Sequence, residues 1–377
     1  SGAVQVVPDA PLIEDLEPVD SSGHPVQWWV NFQEQARQNS DSTSHRQSLA
    51  NVPKEALLGE GSYGYVWRAK DRVTGRTYAV KNVRTQRRKA NPVADRECAV
   101  AAHIRMKPHP CIVQLFHVHN YMDVGLYLLV MEYCPGGDIL GRVKQARAAA
   151  KQASRPYEPP AQALGWVGQI FMGLEHMHCR METLLRDLKP ENVVLSPCGR
   201  AKLTDFGFGR FGVESSGRWS FGIPVGSPGY IAPEILRKER YDFAADLYSL
   251  GVVVWILFTG GLALYDEPVP PIGRMKHQTD FAAHFNDWNM LSRSIREPES
   301  FGGTARLLRR HDAERDFAEN LTNRRPERRM RHAAIRAHAL LQPLGLPRYD
   351  APRGEVERWL DRLDGASSSV AQVAAPP

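Results

Sequence analysis

Residues 185–195 read L-R-D-L-K-P-E-N-V-V-L, and thirteen residues after Asn192 comes Asp205, followed by Phe-Gly. Few reactions need an aspartate, a lysine two residues on, an asparagine three residues further, and then a second aspartate. Transfer of a phosphoryl group to a hydroxyl needs this set, because one carboxylate orients the hydroxyl, an ammonium neutralises the moving group, and an amide and a carboxylate hold magnesium. This chemistry assigns catalysis to Asp187, Lys189 and Asn192, and Mg²⁺ to Asn192 and Asp205.

A glycine-rich segment precedes these residues in the chain. Residues 59–66 read G-E-G-S-Y-G-Y-V, and glycines at this spacing let a hairpin approach phosphates where side chains would clash. The pattern alone is weak, because G-x-G-x-x-G also occurs in dinucleotide-binding folds, where it precedes a helix. Here the segment lies between two strand-like runs, which favours a phosphate-covering hairpin.

Lys81 ends the strand-like run Tyr-Ala-Val-Lys and can grip the phosphates of a nucleotide. Its ammonium needs a carboxylate to hold it, and Glu97 on the next predicted helix is the best placed. Asp95 competes, but two residues of separation put it on a different helix face. Taken singly, Lys81 and Glu97 would more often be surface residues, whereas their order after the glycine-rich segment favours a functional pair.

These motifs together resemble eukaryotic protein kinases of the serine/threonine type, nearest the calcium/calmodulin-dependent group, over about residues 52–342. The resemblance implies an enzyme that transfers the γ-phosphoryl group of MgATP to Ser or Thr hydroxyls of protein substrates. A pseudokinase that binds ATP as a scaffold is the alternative, and the filled chemical positions disfavour it. The nucleotide-binding residues implied are Leu58, Gly59, Gly61, Gly64, Val66, Ala79, Lys81, Glu97, Met131, Glu132, Cys134, Asp138 and Val194.

The resemblance also assigns supporting residues in the second half of the chain. Residues 226–234, G-S-P-G-Y-I-A-P-E, resemble the segment that seats the substrate. Ser227 is expected to contact the catalytic aspartate, Glu234 to pair with Arg329, and Asp246 to brace the catalytic loop. Residues 210–225 correspond to the activation segment, in which either Ser220 is phosphorylated, with Ser215 and Ser216 as further candidates, or the segment orders without phosphate.

Three positions depart from the family pattern. Leu185 stands where most kinases have His, and it is expected to pack in an apolar column with Phe206. The helix position of that column is Ala101, an unusually small residue. Arg325 replaces the aspartate or small polar residue that usually precedes Pro326, which concerns packing rather than chemistry.

Acidic residues near the expected substrate channel predict the sequence preference. Glu191 and Asp138 are the two acids, and they favour a basic residue upstream of the target Ser or Thr. Lys189 and Ser227 indicate serine/threonine rather than tyrosine specificity. No loop of the EF-hand type is present in the sequence, so direct calcium binding is not expected.

The hydrophobic pattern predicts a small five-stranded sheet with one helix, followed by a larger and mainly helical part. The resemblance implies that these form the two-lobed protein kinase fold of the α+β class. We expect an N-terminal extension and linker at 1–51 in which Trp28 and Trp29 dock as a short helix or strand. The kinase domain would span 52–342, with lobes at 52–133 and 134–342 and an insertion within 262–316. A tail at 343–377 would end disordered from Ser367.

Composition agrees with a globular protein of this size. The chain has 377 residues, 42% hydrophobic and 24% charged, with a net charge of +6. Its basic clusters are interrupted by acids, which favours solvated faces over a nucleic-acid surface. The longest apolar run is too short to span a bilayer, and five scattered cysteines indicate a reducing, intracellular compartment. We therefore expect a cytoplasmic protein, with the nucleus as the alternative, and no nucleic-acid partner.

Overall fold

The computed structural model describes residues 11, 13–26, 52, 54–61, 64–84, 92–121, 126–211, 225–227, 229–260 and 312–373. The chain divides into two compact units. The sheet unit comprises Ser1–Pro108 and Val113–Cys134, and the helical unit comprises His109–Ile112 and Pro135–Pro377. Each unit is described separately below.

The sheet unit is one antiparallel sheet with one helix. The strands pair in the order β1-β3-β4-β6-β5, and β2 also pairs with β3. The elements are β1 (Leu16–Pro18), β2 (Leu57–Gly61), β3 (Gly64–Asp71), β4 (Thr77–Arg84), α1 (Pro92–Met106), β5 (Leu115–Tyr121) and β6 (Leu126–Glu132).

Strand register separates the two faces of this sheet. Side chains alternate along a strand, and directly paired residues share a face. One face carries the apolar core, in which Trp67, Val80 and Val130 are fully buried. Trp67 also donates its indole N–H to the buried Asn82 side chain at 2.8 Å. One face of the sheet therefore packs in the apolar core, and candidate site residues can only lie on the opposite face.

The sheet has one strand more than the five predicted, and the additional strand comes from the N-terminal extension. β1 pairs antiparallel with the end of β3, joining Leu16 to Asp71. Leu16 and Val19 are fully buried and the carbonyl of Asp20 accepts a hydrogen bond from the Arg68 guanidinium. A three-residue strand has too few residues to show alternation, which is why the pattern did not reveal it. Trp28 and Trp29 lie outside the described residues.

The helical unit carries seven helices and four short strands among its described residues. The strands pair as two antiparallel ribbons, β7 with β10 and β8 with β9. The elements are α2 (Ile139–Gln152), α3 (Ala163–Arg180), β7 (Thr183–Leu184), β8 (Val193–Leu195), β9 (Ala201–Leu203), β10 (Arg210–Phe211), α4 (Pro233–Leu236), α5 (Ala244–Thr259), α6 (Asp312–Leu321), α7 (His332–Ala337) and α8 (Arg353–Val373).

The core of the helical unit is built around α5. Every residue of this helix is buried, as its all-round apolar sequence predicts. Its main neighbours are α3 and α6. A buried central helix gives fixed anchor points for the loops that pass its first turn, which carries Asp246.

The predicted helices agree with the structure to different degrees. The first helix was predicted at its observed bounds, Pro92–Met106. The helix predicted over 331–341 instead ends at Ala337 and is followed by a 3-10 turn, Gln342–Leu344. The helix expected at 281–294 and most of the insertion expected within 262–316 lie outside the described residues. Within those residues, no helix has the length and hydropathy to cross a membrane.

Helix α8 corrects the expected tail. Its buried residues Val356, Trp359 and Leu360 form one cluster with Cys111 and Met172. The Trp359 indole also donates to the Leu344 carbonyl at 2.7 Å. Residues beyond 342 are therefore part of the core of the helical unit. The helix continues to Val373, because the segment after Ser367 contains no proline that would stop it before Pro376.

We predict that Trp359→Ala lowers the free energy of unfolding of the helical unit by about 3–5 kcal/mol, the usual cost of truncating a buried Trp. Urea unfolding followed by circular dichroism would measure it. Arg362→Ala, on the exposed side of the same helix, is the control and should change stability by less than about 0.5 kcal/mol. Equal stability of the two variants would show that α8 is a dispensable tail.

Candidate active site

The site face of the sheet unit collects the predicted nucleotide-binding residues. Val66 pairs directly with Lys81, and Ala79 pairs directly with Met131. Because Ala79 and Lys81 are two residues apart on β4, all four side chains share a face, opposite the one that carries Trp67. The alternation of the strands therefore groups residues that are distant in sequence.

Lys81 and Glu97 form a close ion pair. The Lys81 Nζ atom lies 2.5 Å from Glu97 Oε1, and their side chains are 12% and 1% exposed. An ammonium that is mostly withdrawn from water needs a paired carboxylate, and Glu97 on α1 supplies it. The side chain of Asp95, the competing acid, lies outside the described residues. The pairing fixes the direction of the lysine, which is what a phosphate-binding lysine needs.

The glycine-rich segment forms the β2–β3 hairpin, with Gly61 paired to Gly64 across the turn. A Cβ atom on Gly64 would lie 1.7 Å from the carbonyl oxygen of Asn82 on β4, so the sheet itself requires a glycine there. Gly59 has no atom within 4 Å of an added Cβ, and it is exposed beside Leu58. The hairpin thus has both a packing glycine and one that faces open space.

The hinge residues follow at the end of β6. Met131 is buried, and the Glu132 amide donates to the Gln114 carbonyl at 2.9 Å. In return the Gln114 amide donates to Glu132 Oε2 at 3.2 Å. These reciprocal bonds fix the backbone before Cys134, which is partly exposed and is the last residue of the sheet unit.

In the helical unit, the catalytic loop places Asp187 in contact with Asn192 and Lys189. Its Oδ2 atom accepts from Asn192 Nδ2 at 3.0 Å and lies 3.2 Å from Lys189 Nζ. The Asp187 residue is 3% exposed. Its other oxygen, Oδ1, is buried and has no hydrogen-bond partner among the described residues. A buried carboxylate oxygen without a donor is costly in a purely structural residue, and it is ready to accept a hydroxyl proton.

Lys189 connects Asp187 to the segment expected to seat the substrate. Its Nζ atom donates to Ser227 Oγ at 2.7 Å. The predicted contact of Ser227 with the catalytic aspartate is thus made through the lysine. Gly226 precedes it with φ +113°, and an added Cβ would lie 2.6 Å from the Arg186 carbonyl oxygen. Only glycine fits so close to the catalytic loop.

Asn192 and Asp205 offer oxygens suited to a hard divalent cation. The Asn192 amide nitrogen is committed to Asp187, at 2.8 Å from its carbonyl and 3.0 Å from its carboxylate. The amide oxygen is therefore turned away from the loop as an acceptor. Asp205 has φ +59°, an uncommon conformation for a residue other than glycine and one found at functional sites. A carbonyl and a carboxylate oxygen are the ligands that Mg²⁺ prefers.

Asp246 fixes the backbone of the catalytic loop through hydrogen bonds. Its two oxygens accept from the amides of Leu185 at 2.8 Å and Arg186 at 2.7 Å. His178 Nε2 lies 2.9 Å from the same carboxylate. Arg186 has φ +65°, so these bonds hold a strained residue directly before Asp187. Leu185 and Phe206 are both buried, as expected of the apolar column.

Arg186 is already engaged within the helical unit. Its Nε atom donates to the Phe208 carbonyl at 2.6 Å, and its Nη1 atom donates to the Tyr241 hydroxyl at 3.1 Å. These bonds connect the catalytic loop with one residue that precedes the activation segment and one that follows the segment expected to seat the substrate. Ser220, Ser215 and Ser216 lie outside the described residues.

Glu234 and Arg329 form a buried bidentate ion pair, with contacts of 2.5 and 2.6 Å and no exposure of either side chain. Arg329 also donates to the Asn323 carbonyl at 2.7 Å. The Asn323 side chain accepts from the Arg325 amide at 3.0 Å. Asn323 thus connects the Arg325 backbone with the Arg329 side chain directly after α6.

The two acids expected to read the substrate lie near each other. Asp138 Oδ1 accepts from the Gly141 amide at 2.7 Å and caps α2, and its backbone bridges Val194. The pKa of the Glu191 carboxyl is raised, mainly because the carboxyl is partly removed from water and further because Asp138 and Asp187 are of like charge. Glu191 as a residue is exposed. The two acids therefore make a concentrated negative surface beside the catalytic loop.

Sequence reasoning missed several residues that hold the site. The sequence carries no signal that connects His178 with its partners Asp246 and His332, which are far away in the chain. Tyr241 and Asn323 were missed for the same reason. Within the described residues, no group of three His, Cys, Asp or Glu side chains is placed to hold a metal ion.

Comparison with known proteins agrees with this geometry. The model of the protein kinase domain matches residues 52–341. CBL-interacting serine/threonine-protein kinase 19 of Arabidopsis thaliana is 29% identical over 250 residues, covering 65% of this chain and 48% of that relative. Rhodopsin kinase GRK1 of Homo sapiens is 30% identical over 305 residues, covering 78% and 48%. Serine/threonine-protein kinase Nek1 of Mus musculus is 34% identical over 204 residues, covering 54% and 16%.

The chain spans less than half the length of each of these relatives. The match to the family covers most of the chain, and it includes β2–β10 and α1–α7, whereas β1 and α8 lie outside it. The fold class and the family predicted from the catalytic motifs are confirmed: the chain belongs to the protein kinase family.

Proposed function

We propose that this protein transfers the γ-phosphoryl group of ATP to Ser or Thr hydroxyls of protein substrates. One observation carries the proposal: the carboxylate of Asp187 has one oxygen held by Asn192 and Lys189 and the other buried without a partner among the described residues. An aspartate kept only for stability would have both oxygens satisfied. Oδ1 of Asp187 is the group that would accept the substrate hydroxyl.

The reaction makes one bond and breaks one bond. The hydroxyl oxygen bonds to the γ-phosphorus while the bond from that phosphorus to the bridging oxygen breaks, and ADP leaves. Asp187 orients the hydroxyl and takes up its proton. Lys189 lies 3.2 Å from Asp187 Oδ2 and bonds Ser227 at 2.7 Å, so its ammonium can neutralise charge on the transferring group.

Lys81 and its partner Glu97 would hold the α- and β-phosphates of ATP. Asn192 and Asp205 would hold Mg²⁺, because an amide oxygen and a carboxylate are the kinds of ligand that a hard cation prefers. When bound, Mg²⁺ supplies positive charge that offsets the charge of the phosphates. Leu58, Gly59, Val66, Ala79, Met131 and the hinge backbone of Glu132 and Cys134 would line the nucleotide in the sheet unit, with Gly61 and Gly64 shaping the hairpin. Asp138 and Val194 would do so in the helical unit.

Serine/threonine specificity rests on the contact between Lys189 and Ser227 at 2.7 Å. This bond draws the substrate-seating segment against the catalytic loop, which suits a short hydroxyl-bearing side chain. The relatives named above as serine/threonine-protein kinases support the same assignment. Arg186 already bonds Phe208 and Tyr241, so we propose that it does not require a phosphate on the activation segment as its partner.

We predict that Asp187→Asn abolishes phosphoryl transfer, because the amide cannot take up the hydroxyl proton. The loss should be at least about a hundredfold in kcat, within the range of general-base effects. The assay measures the transfer of labelled phosphate from γ-labelled ATP to a mixed protein substrate in the presence of Mg²⁺. Asp350→Asn, which breaks only an exposed contact with Arg348, is the control.

Wild-type activity in Asp187→Asn would contradict the assigned role. ATP binding by the wild-type protein without any transfer would instead support the alternative, a pseudokinase. Both outcomes are read in one experiment when nucleotide binding is measured beside transfer.

We also propose a preference for substrates with a basic residue upstream of the target hydroxyl. Asp138 and Asp187 both repel the Glu191 carboxylate, so a nearby guanidinium would relieve that repulsion. We predict a kcat/KM about two- to fivefold higher for a serine peptide with upstream Arg than for the same peptide with Gln, the size of an exposed ion pair.

Steady-state rates with the two peptides measure this preference, and Glu191→Gln should reduce it. Glu355→Gln, an exposed acid at the start of α8, is the matched control. Equal kcat/KM values for both peptides in the wild-type protein would rule out the acidic recognition surface.

A further inference from the structure

A chain of hydrogen bonds reaches the catalytic loop from the far side of the helical unit. His332, the first residue of α7, places its Nε2 atom 2.9 Å from Nδ1 of His178. The Nε2 atom of His178 lies 2.9 Å from Oδ2 of Asp246. Asp246 in turn accepts from the amides of Leu185 and Arg186, directly before Asp187.

The chemistry of the carboxylate fixes the direction of these bonds. An ionised carboxylate only accepts, so the proton between His178 and Asp246 belongs to His178 Nε2. A neutral His178 then has a lone pair on Nδ1, which requires a donor because the residue is 1% exposed. His332 Nε2–H is that donor.

The surroundings of His332 determine the charge of its imidazole. Burial is the largest cause that lowers the pKa of His332 to about 3, followed by electrostatic effects of the His178 imidazole and of the Arg331 and Arg336 guanidiniums, with Asp242 acting in the opposite direction. The imidazole therefore stays neutral, with one nitrogen that donates and one that accepts. Arg336 is itself paired with the buried Glu175, and Arg331 with Asp242.

Packing fixes the ring planes that the hydrogen bonds need. His178 stacks on Phe243 with ring centroids 4.6 Å apart, and it meets His332 edge-on at 5.1 Å. His178 is thus held by one aromatic face and two polar ends. A ring held in this way has one orientation, and loss of the hydrogen bond at either ring nitrogen would allow the ring to rotate.

We propose that His332 is a positioning residue for phosphoryl transfer, acting through His178 and Asp246 on the backbone of the catalytic loop. This inference rests on the proposed function. It concerns a residue that lies in a different helix from every group that would touch ATP or the substrate. Its role would be to keep His178 Nε2–H directed at Asp246, and thereby to keep Asp187 in place.

The test compares two substitutions of similar size at one position. His332→Gln keeps a side-chain donor and acceptor, whereas His332→Met has neither an N–H nor an oxygen. His338→Met is the control, since His338 follows the same helix but bonds Asp316 and the Leu340 amide. For each variant kcat and KM are measured with ATP and a serine peptide at neutral pH.

We expect His332→Met to lose about tenfold in kcat with KM for ATP changed less than about twofold, which is the signature of an interaction needed in the transition state. His332→Gln should stay within about threefold of the wild-type kcat. A His332→Gln variant as slow as His332→Met, or a His332→Met variant as fast as wild type, would overturn the proposal.

Nitrogen NMR tests the hydrogen-bond chain without any activity. In ¹⁵N-histidine-labelled wild-type protein, a scalar coupling should join Nδ1 of His178 to Nε2 of His332 through the hydrogen bond. In His332→Met the Nδ1 signal of His178 should move, and in His338→Met it should not. Absence of the coupling in the folded wild type would overturn the inference even if His332→Met does not fold, and a wild type without transfer activity would count against the proposed function alone.

Discussion

The carboxylate of Asp246 is the contact on which the catalytic loop depends. It is fully buried at the first turn of the central helix α5. Its oxygens accept hydrogen bonds from two backbone amides and one imidazole. A buried carboxylate is stable only when its oxygens are satisfied. The loop supplies those donors, so burial of Asp246 and the shape of the loop require each other.

This requirement explains why Arg186 can hold a positive φ. A strained residue persists only where its surroundings fix it, and Arg186 is fixed on its amide by Asp246 and on its guanidinium by Phe208 and Tyr241. The consequence is a rigid position for Asp187, the next residue. The position of the Asp187 carboxylate is therefore fixed by contacts of the preceding residue with the core of the helical unit.

The residues that carry chemistry were accessible from the sequence because they occur in short motifs with fixed spacing. Lys81 and Glu97 were paired correctly from strand and helix patterns, and they lie 2.5 Å apart. The all-round apolar sequence of α5 also showed its burial. These features are local, so a single sequence contains them.

The residues that hold the site were less accessible, because they depend on contacts between distant segments. His178 and His332 are 154 positions apart, and nothing in either neighbourhood indicates the other. Strand β1 is too short for a periodic pattern. Helix α8 was overlooked because the kinase resemblance ended near residue 342, although Val356, Trp359 and Leu360 have helical spacing. Family resemblance thus directed attention to the motifs and away from the chain beyond them.

We infer that Asp246 holds the catalytic loop in the shape that phosphoryl transfer requires. Hydrogen exchange of the Leu185 and Arg186 amides in Asp246→Asn, measured together with phosphoryl transfer, tests it most directly. An asparagine offers one acceptor oxygen in place of two, so exchange of these amides should quicken at least about tenfold, and transfer should fall with it, while the amides of α5 stay protected. Wild-type protection of both loop amides together with wild-type transfer in this variant would contradict the account.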